Sequence, residues 1–113
     1  MSTLLSYLGL GAAILLGIAG QIALKSAAVG APSLAAQIFN PLTILGLMIY
    51  ALASIGYIVA LNRIPVSVAF PSVAASYAII AVLAHLLWKE PLGWAQLGGI
   101  ALIGAGIIVI HQT

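Results

Sequence analysis

Four long apolar runs, roughly Leu4 to Leu24, Pro41 to Leu61, Val66 to Trp88 and Trp94 to Ile110, take up most of this 113-residue chain. A helix that crosses hydrocarbon needs about 20 predominantly apolar residues, and each run supplies about that number. Inside the hydrocarbon every backbone N–H and C=O must be satisfied internally, which leaves helices or a closed barrel. Barrel strands alternate polar and apolar residues over about ten positions. Ile79-Ile80-Ala81-Val82-Leu83-Ala84 and Ile107-Ile108-Val109-Ile110 do not alternate. The sequence therefore predicts an all-α integral membrane protein: one four-helix transmembrane domain over residues 1–113, with no room for a soluble domain.

Charge is confined to the margins of these runs. Charged residues make up 4% of the chain, and Lys25, Arg63, Lys89 and Glu90 all fall between runs or at their ends. No carboxylate lies inside a run. A net charge of +2 from scattered cations is too sparse for a nucleic-acid surface. There is no cysteine, so disulfides and thiolate metal sites do not arise. The first run is expected to remain as a span rather than act as a signal peptide, because it lacks a basic leading segment and ends at Lys25. His85 and His111 are placed at opposite membrane faces without other strong ligands, so no metal is expected. Neither a nucleophile–base pair nor a phosphate loop is evident, so no enzyme activity and no cofactor are expected.

The connections are short except for the first. Ser26 to Asn40 contains Gly30, Pro32 and Asn40-Pro41, turn and helix-start chemistry, and Ser33 to Phe39 suits a short interfacial helix. Pro91 is expected in the first turn of the fourth helix, with Glu90 set against its positive dipole end. Four spans put both termini and Arg63 on one side, side B, and Lys25, Lys89 and Glu90 on the other, side A. Two basic residues against one leave the orientation open. Gly9, Ala13, Gly17 and Gly20 form a small-residue face on the first helix, and the fourth has Ala95 with Gly99 and a second series at Ala101 and Ala105, with Gly98, Gly104 and Gly106 nearby. Such faces pack membrane helices closely, either within one subunit or between two.

The candidate site residues follow from these placements. Gln21 and Lys25 share a helix face with Gly17 through i, i+4 spacing. Lys25 either snorkels to the headgroups or contacts an anionic group at a cavity rim. Pro71 should kink the third helix by leaving the Ser67 carbonyl without its donor, and Ser67, Ser72 and Ser76 supply hydroxyls nearby. Tyr77 is a candidate for the cavity wall, whereas Tyr50 and Tyr57 fit a lipid-facing position equally well. Lys25, His85, Lys89 and Glu90 form either a phosphate-binding cluster, with Glu90 holding a lysine, or an interfacial charge belt.

Several segments resemble the small multidrug resistance fold of the drug/metabolite transporter superfamily. They are Gly17 to Lys25, Ile64 to Phe70, the Trp88-Lys89-Glu90-Pro91-Leu92 junction, and Gly99 to Ile110 as a dimerising last helix. Within that superfamily the chain is most similar to the subunits of aminoarabinose–phosphoundecaprenol flippases. The likeness rests on Ala19-Gly20-Gln21 with Lys25, on Pro65-Val66 with Ala69-Phe70-Pro71, and on Trp88 with Glu90-Pro91. The resemblance implies transport of a polyprenyl-phosphate-linked sugar across the inner membrane of Gram-negative bacteria, for lipid A modification. It also implies a homodimer or a heterodimer with a related four-helix subunit. The implied substrate-binding residues are Gly17, Gln21, Lys25, Pro71, Ser72, Tyr77, Lys89 and Glu90. Gly17 stands in register where the drug exporters carry their coupling glutamate, and Val73 where they carry a tryptophan. Two alternatives remain: a proton-coupled exporter of small cations using Glu90, and a non-transporting membrane adaptor.

Overall fold

The computed structural model describes residues 2–112, which are helical with no strand among them. Among the described residues six helices form four spans. These are α1 (Thr3–Ala28), a short α2 (Leu34–Ile38), α3 (Pro41–Ala60), α4 (Val66–Val73) running into α5 (Ala75–Trp88), and α6 (Trp94–His111). The spans α1, α3, α4–α5 and α6 are each long and apolar enough to cross a membrane. This is a multi-pass membrane protein.

Local chemistry sets the helix ends. Ser2 Oγ accepts from the Leu5 N–H at 3.1 Å, Ser33 Oγ from Ala36 at 3.1 Å, and Asn40 Oδ1 from Leu42 at 2.9 Å. Each satisfies an N–H that an opening helix turn leaves free, and Pro41 at the start of α3 has no such N–H to satisfy. The first helix continues one turn beyond the apolar run, to Ala28, because Lys25-Ser26-Ala27-Ala28 contains no helix breaker. Gly30, with φ of 75°, turns the chain immediately afterwards. Twenty-six residues at 1.5 Å each exceed a hydrocarbon layer of about 30 Å, so Lys25 reaches the headgroup level.

Packing inverts the pattern of a water-soluble protein. The buried residues are mainly small ones, among them Ser6, Ala13, Ala23, Ala27, Ala53, Ala60 and Ala69, while large residues such as Leu4, Leu15 and Leu102 point outward. Lipid is as apolar as leucine, so close backbone approach rather than burial of bulk holds the helices together. The approach is tightest between α1 and α3, where a Cβ on Gly9 would lie 2.7 Å from the Gly56 carbonyl oxygen. Gly20 and Gly46 meet in the same way one half-span further on. At side B, Leu10, Ala60, Ile64 and Ala69 form a small core that seats the α3–α4 corner on α1. There Ser6 Oγ donates to the Val59 carbonyl at 3.2 Å.

The third span breaks at Ala74, three residues after Pro71. The Tyr77 N–H turns to the Ala74 carbonyl at 3.0 Å, and Ser76 Oγ donates to the Val73 carbonyl at 2.7 Å. A hydroxyl thus fills the place vacated by a backbone donor, as a break inside a membrane requires. The fourth span behaves differently from expectation. Its helix begins at Trp94 after the cap residue Gly93, so Pro91 lies in the extended link ahead of it rather than in its first turn. Gln96 Oε1 reaches back to accept from the Gly93 N–H at 2.9 Å. No described residue of α6 is buried, and its glycines 98, 99, 104 and 106 have nothing within 4 Å of a built Cβ. On the first helix Gly9, Ala13 and Gly20 pack within the subunit, whereas Gly17 and the glycines of the fourth helix do not.

Candidate functional site

The polar residues at side A converge on one ion pair. Lys25 Nζ lies 3.1 Å from Glu90 Oε2, with side chains 46% and 43% exposed. A pair that open contributes only about 0–1 kcal/mol to stability, so it is a rim rather than a strut. Glu90 is fixed through its backbone. Its N–H donates to the Ala84 carbonyl at 3.3 Å, and its own carbonyl accepts from His85 Nδ1 at 2.8 Å. Lys89 takes the left-handed conformation, φ 55° and ψ 32°, which ends α5 and turns the next residue inward. Glu90 accordingly serves Lys25 across the bundle and not the dipole of α6, whose start is four residues away.

Two adjoining cavities open beneath this pair. One of about 320 Å³ is lined by Gln21, Tyr77, Ala84, Glu90 and Gln96, with Ile80 and Ala81 on its floor. The other, of about 150 Å³, runs between Gln21, Lys25, Trp88 and Glu90. Gln21, Ile80, Ala84 and Glu90 border both. A third and larger groove of about 430 Å³ lies between α1, α3 and α4, where Gly17 faces Tyr50, Ser54, Tyr57 and Phe70. Tyr50 lines the groove, and its hydroxyl stands beside the amide of Gln21, which borders both cavities. The Tyr57 hydroxyl is fully buried and has no hydrogen-bond partner among the described residues.

The single groove expected from sequence is therefore divided. Gln21, Lys25, Tyr77 and Glu90 come together at side A. Gly17 lines the separate apolar groove. Lys89 has an exposed side chain and borders neither cavity. Pro71 and Ser72 also lie apart from all three spaces. Ser72 is 5% exposed, and its Oγ lies 2.7 Å from both the Val68 carbonyl oxygen and His111 Nε2. A carbonyl can only accept, so the serine proton goes to Val68 and His111 Nε2 must be the donor to Ser72. This contact ties the end of α6 to the proline-bearing segment at side B.

Residues 2–112 match the EamA-like transporter family, nearly the whole length of the chain. The chain belongs to that family. This EamA-like protein is also similar to individual flippase subunits. It is 34% identical over 105 residues to a Klebsiella pneumoniae protein named as the 4-amino-4-deoxy-L-arabinose-phosphoundecaprenol flippase subunit ArnF, covering 81% of this chain and 83% of that one. An Enterobacter protein named as subunit ArnE of the same flippase is 31% identical over 106 residues, covering 94% and 96%. An ArnF-named protein of Shewanella sediminis is 40% identical over 67 residues, which span 58% of this chain and about half, 46%, of that relative. No solved structure matches the EamA-like chain.

The site contains Ser54 and Gln96, which the sequence did not single out, and it gives Tyr50 and Tyr57 a groove-lining place where the sequence left a lipid-facing one equally open. Tyr50, Ser54 and Tyr57 recur at helical spacing on one face of α3 and line the groove opposite Gly17. That i, i+4, i+7 pattern was available in the sequence as a polar stripe in an otherwise apolar span. Gln96 carried no comparable signal, since its part in the cavity wall follows from where α6 starts.

Proposed function

We propose that this EamA-like protein is a subunit of a transporter that moves a lipid-linked sugar, of the polyprenyl-phosphate aminosugar class, across the bacterial inner membrane. One observation carries the reading. A lysine at headgroup level opens into cavities between the helices, while the described spans hold no carboxylate to bind a cation. An anionic phosphate meets Lys25 at side A. The sugar lies against Gln21, Tyr77 and Gln96, whose neutral hydrogen-bonding groups suit a hydroxylated ring. The Gly17 groove with Tyr50, Ser54 and Tyr57 offers a second such wall deeper in the bilayer. The prenyl tail stays in lipid. The similarity to proteins named as subunits ArnF and ArnE of an aminoarabinose-phosphoundecaprenol flippase supports this substrate class. Those names, together with the uncovered glycine face of α6, support a partner that is a second four-helix subunit, either identical or related.

The test is Lys25→Ala in proteoliposomes loaded with a fluorescent polyprenyl-phosphate aminosugar. Loss of a charge-assisted contact of about 1.5–3 kcal/mol lowers translocation roughly ten- to hundredfold. Insertion should remain intact, since the pair with Glu90 contributes little to stability. Full translocation by Lys25→Ala would refute the phosphate role.

A further inference from the structure

We propose that the Lys25–Glu90 pair is a charge filter that admits lipid headgroups carrying both an anionic phosphate and a primary ammonium. The phosphate replaces Glu90 on Lys25, and the ammonium replaces Lys25 on Glu90. The inference rests on the lipid reading above and adds the charge pattern that the site accepts, with Glu90 as its selective element.

The argument starts from where the two charges stand. Glu90 borders both cavities and Lys25 one of them, and these are the only full charges among the residues lining the two spaces. Their contact, at 3.1 Å between half-exposed side chains, is of the kind that is readily separated. What replaces it decides the outcome. A headgroup with only a phosphate takes Lys25 and strands the Glu90 carboxylate beside a second negative charge, a juxtaposition that disfavours binding. A headgroup with both charges re-pairs each of them, and the neutral Gln21, Tyr77 and Gln96 leave nothing else to compensate.

The Glu90 backbone is held in place. Its N–H is bonded to Ala84, its carbonyl holds His85 Nδ1, and Pro91 follows. The left-handed turn at Lys89 is also what puts the acid, rather than its basic neighbour, at the cavity wall.

The experiment uses the full chain in phosphatidylcholine nanodiscs, whose quaternary ammonium cannot donate a hydrogen bond. A fluorescent polyprenyl phosphate bearing an amino sugar is the probe. It is competed with its unlabelled form, with the N-acetylated form, and with phosphatidylethanolamine. The wild-type chain should prefer the free amine over the N-acetyl form by about tenfold, the scale of one charge-assisted pairing. Glu90→Gln should bring that ratio close to one, chiefly by tightening the N-acetyl form, and Glu90→Asp should preserve it. Strong competition by phosphatidylethanolamine would support the filter and identify its occupant as bulk phospholipid. An unchanged ratio in Glu90→Gln, or a wild-type ratio of one with the probe still bound, overturns the filter and leaves the lipid reading standing. Failure of the wild type to bind the probe at all overturns both.

Discussion

Substituting alanine at the glycines of α1 separates the two forces that hold this bundle. In a helix interior alanine is favoured over glycine by about 0.5–1 kcal/mol, because glycine loses more backbone entropy. At Gly17 nothing lies within 4 Å of the new Cβ, so Gly17→Ala should stabilise by about that amount. At Gly9 the same Cβ would lie 2.7 Å from the Gly56 carbonyl oxygen and 3.0–3.1 Å from Val59, against ordinary contact of 3.4 Å or more. The obstacle is backbone, so α1 and α3 must move apart, and overpacking of this kind costs about 1–3 kcal/mol. Because propensity is common to both variants, their difference isolates the packing term. Gly9→Ala should be the less stable by about 1–3 kcal/mol, roughly 5- to 150-fold in the unfolding equilibrium.

Unfolding in bicelles, followed by steric trapping or by circular dichroism, measures that difference. Gly46→Ala offers a graded control, since its Cβ would meet the Gly20 carbonyl and the tip of Leu24 at 3.1 Å, and the leucine can yield. The expected order of stability is Gly17→Ala, then Gly46→Ala, then Gly9→Ala. Equal stabilities for Gly9→Ala and Gly17→Ala would refute close α1–α3 approach as the source of cohesion.

Two further perturbations test local geometry. Lys89 is the one non-glycine residue with positive φ among those described, and L-residues lose about 1–2 kcal/mol there. Lys89→Gly should therefore raise stability by about 1 kcal/mol in the same unfolding assay while leaving translocation unchanged; a fall in translocation would bring Lys89 back as a phosphate ligand. His111→Ala removes the donor to Ser72, a loss of about 0.5–1.5 kcal/mol. Amide hydrogen exchange should accelerate in the last turn of α6 and remain unchanged in α1 and α3, and protection lost evenly over all helices would count against a local tether.

The span pattern was legible because hydrocarbon imposes a length and a composition that few residues can satisfy in any other way. The placement of Pro91 was less so. Proline fits a first turn, yet Gly93 and Gln96 supply a better start three residues on, and that competition is settled by side-chain reach rather than by propensity. The sequence also put Lys25, Lys89 and Glu90 on one side without saying which lysine the acid serves. The answer depends on a single backbone dihedral at Lys89, which a sequence pattern does not encode. Ser72 illustrates the reverse case. The resemblance implied it as a binding residue together with Gln21, whereas its Oγ lies against His111 Nε2, away from the cavities.

The position of the acid bears on energetics as much as on recognition. A charge at the bilayer centre costs on the order of 2.5–3.5 kcal/mol even by insertion scales, and a transporter that accepts such a cost gains a group able to exchange protons against cations. This chain carries its one acid at the rim, half exposed and already paired with Lys25, and has glycine at position 17. Glu90 therefore carries no comparable burial cost and stands apart from the interior of the spans. For a headgroup that enters from the membrane surface and drags its tail through lipid, no such internal acid is required. What it needs is a rim that recognises charge and walls that offer neutral hydrogen bonds, with space where a carboxylate would otherwise stand. Gly17 contributes that space.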